Sequence, residues 1–268
     1  MLRASVKTLR IIEHRLRSSA INTHCSHTRF QSSSNIFPSA TRTHQQNMTL
    51  YTKIVSSMGS KTSMVAKDNA IKGRVEKMLI EGKHTIFGTQ TDGTFEGMEE
   101  FQAGMGCFWG AEQRYWEQPG VVHTAVGYSG GYTENPTYEE TCTAQTGHTE
   151  CVRVVYDPKK TNLQALLKVF WESHDPTQQN RQGNDVGTQY RSALYLETDE
   201  QYQIAKKSRD AYQAALTKEG KGHISTDLRE GPAPVFYYAE DYHQQYLDKN
   251  KGGYCGLKGT GVQCARGE

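Results

Sequence analysis

The chain has 268 residues, long enough for one domain or two. Its 31 basic and 29 acidic side chains leave a net charge of +2, so no overall bias toward nucleic acid or a membrane surface exists, and no run nears the ~18 consecutive apolar residues of a membrane span. With no secretory signal, the 6 cysteines are expected to be free, catalytic or redox-cycling rather than a disulfide framework.

Residues 1–47 carry Arg3, Lys7, Arg10, Arg15, Arg17, Arg29 and Arg42 against Glu13 alone, among many serines. A basic, Ser-rich, acid-poor N-terminus has the composition of an organelle transit peptide, here mitochondrial, although a plain disordered basic tail shares it. Met48 and Met58 are downstream starts that would leave a cytoplasmic form. Residues 48–93 are polar and without period, which predicts a largely disordered linker with at most one short helix near Ile71–Ile80. The folded domain is expected over 94–268.

Glu99–Ala103 reads as a short strand leading into Gly104-Met105-Gly106-Cys107-Phe108-Trp109-Gly110, and Ala111–Trp116 as a helix. Cys107 then falls at a strand-to-helix turn between glycines that allow a sharp bend. A helix N-terminus stabilises a thiolate, so this position is expected to lower the thiol pKa and make a nucleophile. Phe108 and Trp109 add an apolar wall suited to a methyl group. The competing reading is an inert core cysteine beside two core aromatics.

Pro119-Gly120 marks a turn and Val121–Val126 a strand, followed by a glycine- and tyrosine-rich loop to Tyr138 that suits either binding or packing. The clearest strand lies between Gly147 and Pro158. Its alternation puts Glu150, Val152, Val154 and Tyr156 on one face, and a carboxyl at the edge of an apolar face is expected to have a raised pKa and hold a proton near neutral pH. Thr161 and Gln164 predict a capping box for a helix with the stripe Leu163, Leu166, Leu167, Phe170, stopped by Pro176. The polar loop from His174 to Ser192 leads into a strand at Ala193–Leu196. Thr198 and Gln201 open a helix to about Thr217, Val235–Tyr238 is a short strand, and Glu240–Asn250 a last helix.

From about 251 a mobile glycine-rich tail carries Cys255 and Cys264, able to bring a thiol to a distant sulfur. Zinc is the other use of paired cysteines, but this spacing lacks the short interval of structural zinc sites. Cys142 and Cys151 read as packing residues. The element order predicts one α+β domain, a single-domain α/β sandwich in which a mixed sheet is covered by helices. One activated thiol, one proton donor, an aromatic wall and two mobile cysteines point to thiol redox chemistry on a small, weakly polar substrate.

Gly106-Cys107-Phe108-Trp109-Gly110, Gly147-His148-Thr149-Glu150, the stretch His174–Ser192, Tyr242-His243-Gln244-Gln245-Tyr246-Leu247 and the Gly-Tyr-Cys tail closely resemble peptide methionine sulfoxide reductase A. The resemblance runs from about Phe101 to Cys264 and leaves residues 1 to about 93 outside. It implies that Cys107 attacks the sulfoxide sulfur of the S epimer while Glu150 protonates the oxygen, leaving Cys107 as a sulfenic acid. It further implies that Cys255 forms a disulfide with Cys107, Cys264 exchanges into it, and thioredoxin reduces the final pair. Phe108 and Trp109 would cradle the methyl group, with Tyr138, Asp185 and Tyr190 holding the sulfoxide oxygen. The implied enzyme is a monomer acting on oxidised proteins and free methionine sulfoxide, with no bound cofactor or metal. A thiol peroxidase and a non-catalytic binder of oxidised methionine are the alternatives, the second disfavoured because a binder needs no resolving thiols.

Overall fold

Strand β3 (Thr149–Tyr156) lies in the middle of the molecule and is buried along both faces except at Arg153. It pairs antiparallel with β1 (Glu99–Met105) on one side and β2 (Val121–Ser129) on the other. β6 (Ser192–Leu196) joins β1, and two short strands, β7 (Asp227–Leu228) and β8 (Tyr237–Tyr238), close the edges. The order is β7-β6-β1-β3-β2-β8, with β6 and β7 parallel and the other pairs antiparallel, so the sheet is mixed. This computed structural model describes residues 62–253 and 255–264. The expected transit segment 1–47 and the starts at Met48 and Met58 lie outside the described residues.

The helices are α1 (Phe108–Trp116), α2 (Tyr138–Cys142), α3 (Leu163–Ser173), α4 (Asp199–Lys218) and α5 (Tyr246–Lys249). On one face of the sheet, Phe101, Val152, Val154, Tyr156 and Leu194 pack with Phe108 and Tyr115 of α1, the Leu163, Leu166, Leu167 and Phe170 stripe of α3, and Tyr212 and Leu216 of α4. The α+β reading holds, and Val152 and Val154 face the helices as the alternation requires. The opposite face carries Cys151, Ala193 and Tyr195, covered by Ala233 and Phe236 from an irregular stretch rather than by a helix.

Several local expectations are corrected. Residues 62–93, read as linker, are a strap bonded to the domain, and no helix forms at 71–80. Ile71 N–H donates to Gln145 O (3.0 Å), Arg74 N–H to Glu134 O (3.0 Å), and the Arg74 guanidinium pairs with Glu140 at 2.5 Å. His84, 1% exposed, bonds Thr124 of β2 at 2.8 Å, and Thr89 and Thr91 hold the two ring nitrogens of His123 at 2.8 and 3.0 Å. Polar groups anchor the strap, so it shows no apolar period.

The cap of α3 is Asn162, whose side chain accepts from Ala165 N–H at 2.9 Å, not Thr161. Of the helix expected at Glu240–Asn250, only Tyr246–Lys249 forms, because Gln245 adopts left-handed φ of 47° and its N–H is used elsewhere. The helix α2, which begins where the Gly/Tyr loop ends, was not expected. Thr137 and Glu140 close a reciprocal capping box there.

The tail, expected free, is laid down over 255–264. Tyr212 O–H donates to Val262 O at 3.1 Å, Val262 is 9% exposed, and Cys264 N–H donates to Glu172 at 2.8 Å. No helix among the described residues is long and apolar enough to cross a membrane.

Candidate active site

The site is built where β1 turns into α1. Gly106 sits at φ +94°, and a Cβ there would stand 2.6 Å from Cβ of Gln182, so only glycine makes this bend. Cys107 follows as the residue capping α1, partly exposed, with the backbone N–H groups of Trp109 and Gly110 near enough to favour a charge on its sulfur. Those amides pull the thiol pKa down, as its place at a helix start leads one to expect. Burial and the nearby Glu150 outweigh them, with Asp185 adding to the effect, and the thiol lies well above its ordinary value. The expectation of a lowered pKa is therefore corrected: the resting group is a thiol.

Glu150, on the helix face of β3 and 2% exposed, accepts a hydrogen bond from Phe108 N–H at 3.1 Å. Strand pairing brings it here from 42 residues away in sequence. Phe108 is buried and Trp109 half-buried. The Trp109 ring stacks on Tyr246 at 3.9 Å, and its indole N–H donates to Nδ1 of His243 at 3.1 Å. The Tyr138 ring, at the start of α2, lies 4.6 Å from His243, so one aromatic wall joins Phe108, Trp109 and Tyr138.

Asp185 stands on the small hairpin β4 (Arg181–Gln182) and β5 (Asp185–Val186), near enough for its charge to act on the Cys107 sulfur. Tyr190 ends the 3₁₀ turn Thr188–Tyr190, 6% exposed, just before β6. Cys255 is exposed, its Sγ 2.9 Å from where a Cβ on Gly110 would stand, so the missing side chain of Gly110 leaves it room beside the first turn of α1. Cys264 is held apart at Glu172 of α3, its thiol raised to about 11 by burial and that carboxylate. Cys151 is buried on the far face of the sheet.

Sequence reasoning missed two polar residues behind the wall. Glu240 accepts from Tyr128 O–H and Tyr138 N–H, both at 2.9 Å, and so fixes the start of α2. His243 is 1% exposed and drawn down to about 3 by burial, hence neutral. With Nδ1 accepting from Trp109, its proton sits on Nε2, which makes no hydrogen bond among the described residues. Both stand among other polar residues in Glu240–Gln245, where no period betrays a buried one; the only signal was the Tyr242–Leu247 motif.

A partly exposed cysteine at the head of a helix, with a buried carboxyl near enough to act on its sulfur and an aromatic wall beside it, is the kind of arrangement that cysteine-dependent enzymes use. The family model described as peptide methionine sulfoxide reductase matches residues 99–264, and the chain belongs to that family. The peptide methionine sulfoxide reductase MsrA of Agrobacterium fabrum is 55% identical over 213 residues, 79% of this chain and 98% of that protein. The mitochondrial peptide methionine sulfoxide reductase of Rattus norvegicus is 55% identical over 212 residues, 78% of this chain and 90% of its own. Among solved structures, methionine sulfoxide reductase A of Corynebacterium diphtheriae superposes with a TM-score of 0.67 at 46% identity, covering 75% of this chain and 98% of that one. The reduced form of Mxr1 from Saccharomyces cerevisiae gives 0.53 at 35% identity, covering 59% and 89%. A match of 213 residues does not fit between Glu99 and Glu268, so it takes in the strap that the sequence reading left outside the resemblance.

Proposed function

We propose that this protein reduces the S epimer of methionine sulfoxide, free or in proteins, with Cys107 as nucleophile and Glu150 as acid. Family membership supports sulfoxide reduction. The observation that carries the residue roles is the buried Glu150 carboxyl, bonded to the amide that follows Cys107.

Because Glu150 is among the causes that raise the thiol, moving the proton from Cys107 to Glu150 removes that repulsion and leaves a thiolate facing two N–H groups. The thiolate attacks the sulfoxide sulfur, and Glu150 hands the same proton to the oxygen. The protonated oxygen then passes to the Cys107 sulfur as the substrate's sulfur–oxygen bond and the new sulfur–sulfur bond both break, so methionine departs and Cys107 is left as a sulfenic acid. Phe108 and Trp109 receive the methyl group, while Tyr138, Asp185 and Tyr190 surround the oxygen; a chiral sulfur in such a pocket is accepted in one configuration.

Cys255, already beside Gly110, attacks the Cys107 sulfur, releasing water and forming a disulfide. Cys264 leaves its contacts at Glu172 and exchanges into that bond, and thioredoxin reduces the resulting Cys255–Cys264 pair. A mitochondrial form accords with the basic N-terminus and with the rat relative named mitochondrial.

The test follows NADPH consumption coupled through thioredoxin, on separate S and R epimers of a blocked methionine sulfoxide. The protein should turn over the S epimer alone, Cys107→Ser should be inactive, and Glu150→Gln should be slower by roughly a hundredfold or more. Absence of turnover with both epimers while thioredoxin reduces Cys255–Cys264 would refute the reading and leave peroxide as the oxidant to try.

A further inference from the structure

We infer that Glu112 is a positioning residue for the substrate pocket: its carboxylate ties the helix bearing Cys107 to the segment carrying His243 and Tyr246, and so sets the aromatic wall. This rests on the reading of Phe108 and Trp109 as the methyl site.

Glu112 lies on α1, one turn beyond Phe108 and Trp109, and is 0% exposed. Its Oε2 accepts from Gln245 N–H at 2.9 Å, and its Oε1 from Gln245 Nε2 at 2.8 Å and Thr124 O–H at 3.1 Å. The direction of the last bond is fixed by its neighbours. Nδ1 of His84 accepts from the N–H groups of Ile86 and Phe87 at 3.1 and 3.3 Å, so the ring proton is on Nε2. That proton is given to Thr124 Oγ1 at 2.8 Å, which leaves the hydroxyl hydrogen for Glu112. All three groups donate, and a carboxylate accepts them all. A protonated acid or an amide at 112 must give up at least one of these bonds.

What the bonds hold is the backbone at Gln245, left-handed at φ 47° and flanked by the groups that touch Trp109. His243, two residues before, takes the indole N–H, and Tyr246, one residue after, stacks on the ring. Gln244 is clamped separately to both backbone groups of Val126 at 2.9 and 2.8 Å, so the segment is pinned to β2 on one side and to α1 through Glu112 on the other. Loss of the Glu112 tie leaves the segment attached to β2 but free to drift from Trp109. A group acting only on pocket shape should therefore change substrate binding more than the chemistry at Cys107. Burial carries the carboxyl up to about 7, and the pull of Gln245, Thr124 and Lys249 keeps it from rising further.

The experiment compares wild type, Glu112→Gln, Gln245→Met and the exchange Glu112→Gln/Gln245→Glu, using a blocked S-methionine sulfoxide with thioredoxin recycling. In parallel, NMR follows the Trp109 indole N–H, assigned through its loss in Trp109→Phe. Glu112→Gln should raise KM by roughly tenfold with kcat within about threefold, and shift the indole resonance. Gln245→Met keeps the backbone bond and should give a smaller rise; it carries the test should Glu112→Gln not fold. The exchanged pair restores a donor facing a carboxylate and should bring KM back toward wild type. An unchanged KM and indole shift in Glu112→Gln and Gln245→Met, or an exchanged pair no better than Glu112→Gln, overturns the inference. A wild type unable to reduce the sulfoxide would instead overturn the function proposed above.

Discussion

At Gly106 two requirements coincide in one residue. The chain must turn at φ +94°, and the facing Gln182 side chain occupies the space a Cβ would need. Gln182 in turn bonds both the N–H and the C=O of Asp175 at 3.0 Å and leads into the hairpin that carries Asp185. Gly106→Ala should therefore cost roughly 1–3 kcal/mol of stability from backbone strain. It should also slow turnover by pushing the Asp185 hairpin from the sulfur. Urea unfolding beside steady-state kinetics checks this; full stability and activity in the alanine variant would contradict it. Cys107 between glycines was legible from sequence, because a reactive sulfur and a strained turn leave a local pattern. The net direction of its pKa was not, since it depends on Glu150 and Asp185, brought in by strand pairing and a distant hairpin.

Among the elements, those with an apolar stripe read well. The α3 stripe of Leu163, Leu166, Leu167 and Phe170 packs on the sheet as its spacing requires, and α4 begins at Thr198, whose hydroxyl accepts from Gln201 N–H at 3.2 Å. This cap is far from the site, so Thr198→Ala should lower stability by about 1 kcal/mol while leaving KM and kcat unchanged. A thermal or urea midpoint equal to wild type would show that the cap contributes nothing. What was misread has a common cause. The strap and the Gln244-Gln245 segment are held by side chains bonding to backbone or to other side chains across the molecule, as Thr133 O–H does to Ile71 O at 2.8 Å. Such bonds obey neither helical nor strand periodicity, so polar composition alone suggested loops and linkers.

Across the molecule, five buried histidines among the described residues govern the response to acid. Burial draws His123, His148 and His174 down to about 4, and His84 and His243 to about 3. Their folded values lie below the ~6.5 of an unfolded chain, so the unfolded state takes up protons first and stability falls as pH drops from about 6.5 toward 4. Each histidine contributes up to ~1.4 kcal/mol per pH unit in that window. Glu112, raised to about 7, and Glu197, raised by burial, act in the opposite sense, two groups against five. The net expectation is a steep acid loss of stability. Urea midpoints measured by circular dichroism at pH 7, 6, 5 and 4.5 should fall throughout, and a flat series would mean that these rings are solvated. The α+β order of this whole was legible because α3 and α4 and strands β1, β2, β3 and β6 carry the apolar pattern. The covering of the far face was not, since Ala233 and Phe236 lie in chain with no regular element.

Two of those histidines place the practical edge of the domain. The ring nitrogens of His123 are bonded by Thr89 and Thr91, and Thr124 by His84, all upstream of the first residue that the family signature covers. A chain cut at Glu99 would keep every residue assigned to chemistry. It would also expose two side chains of a central strand whose partners had been removed, and leave Glu112 with a hydroxyl no longer oriented toward it. A piece of this protein that keeps those side chains paired therefore reaches back to His84, about fifteen residues ahead of the point where its family signature begins.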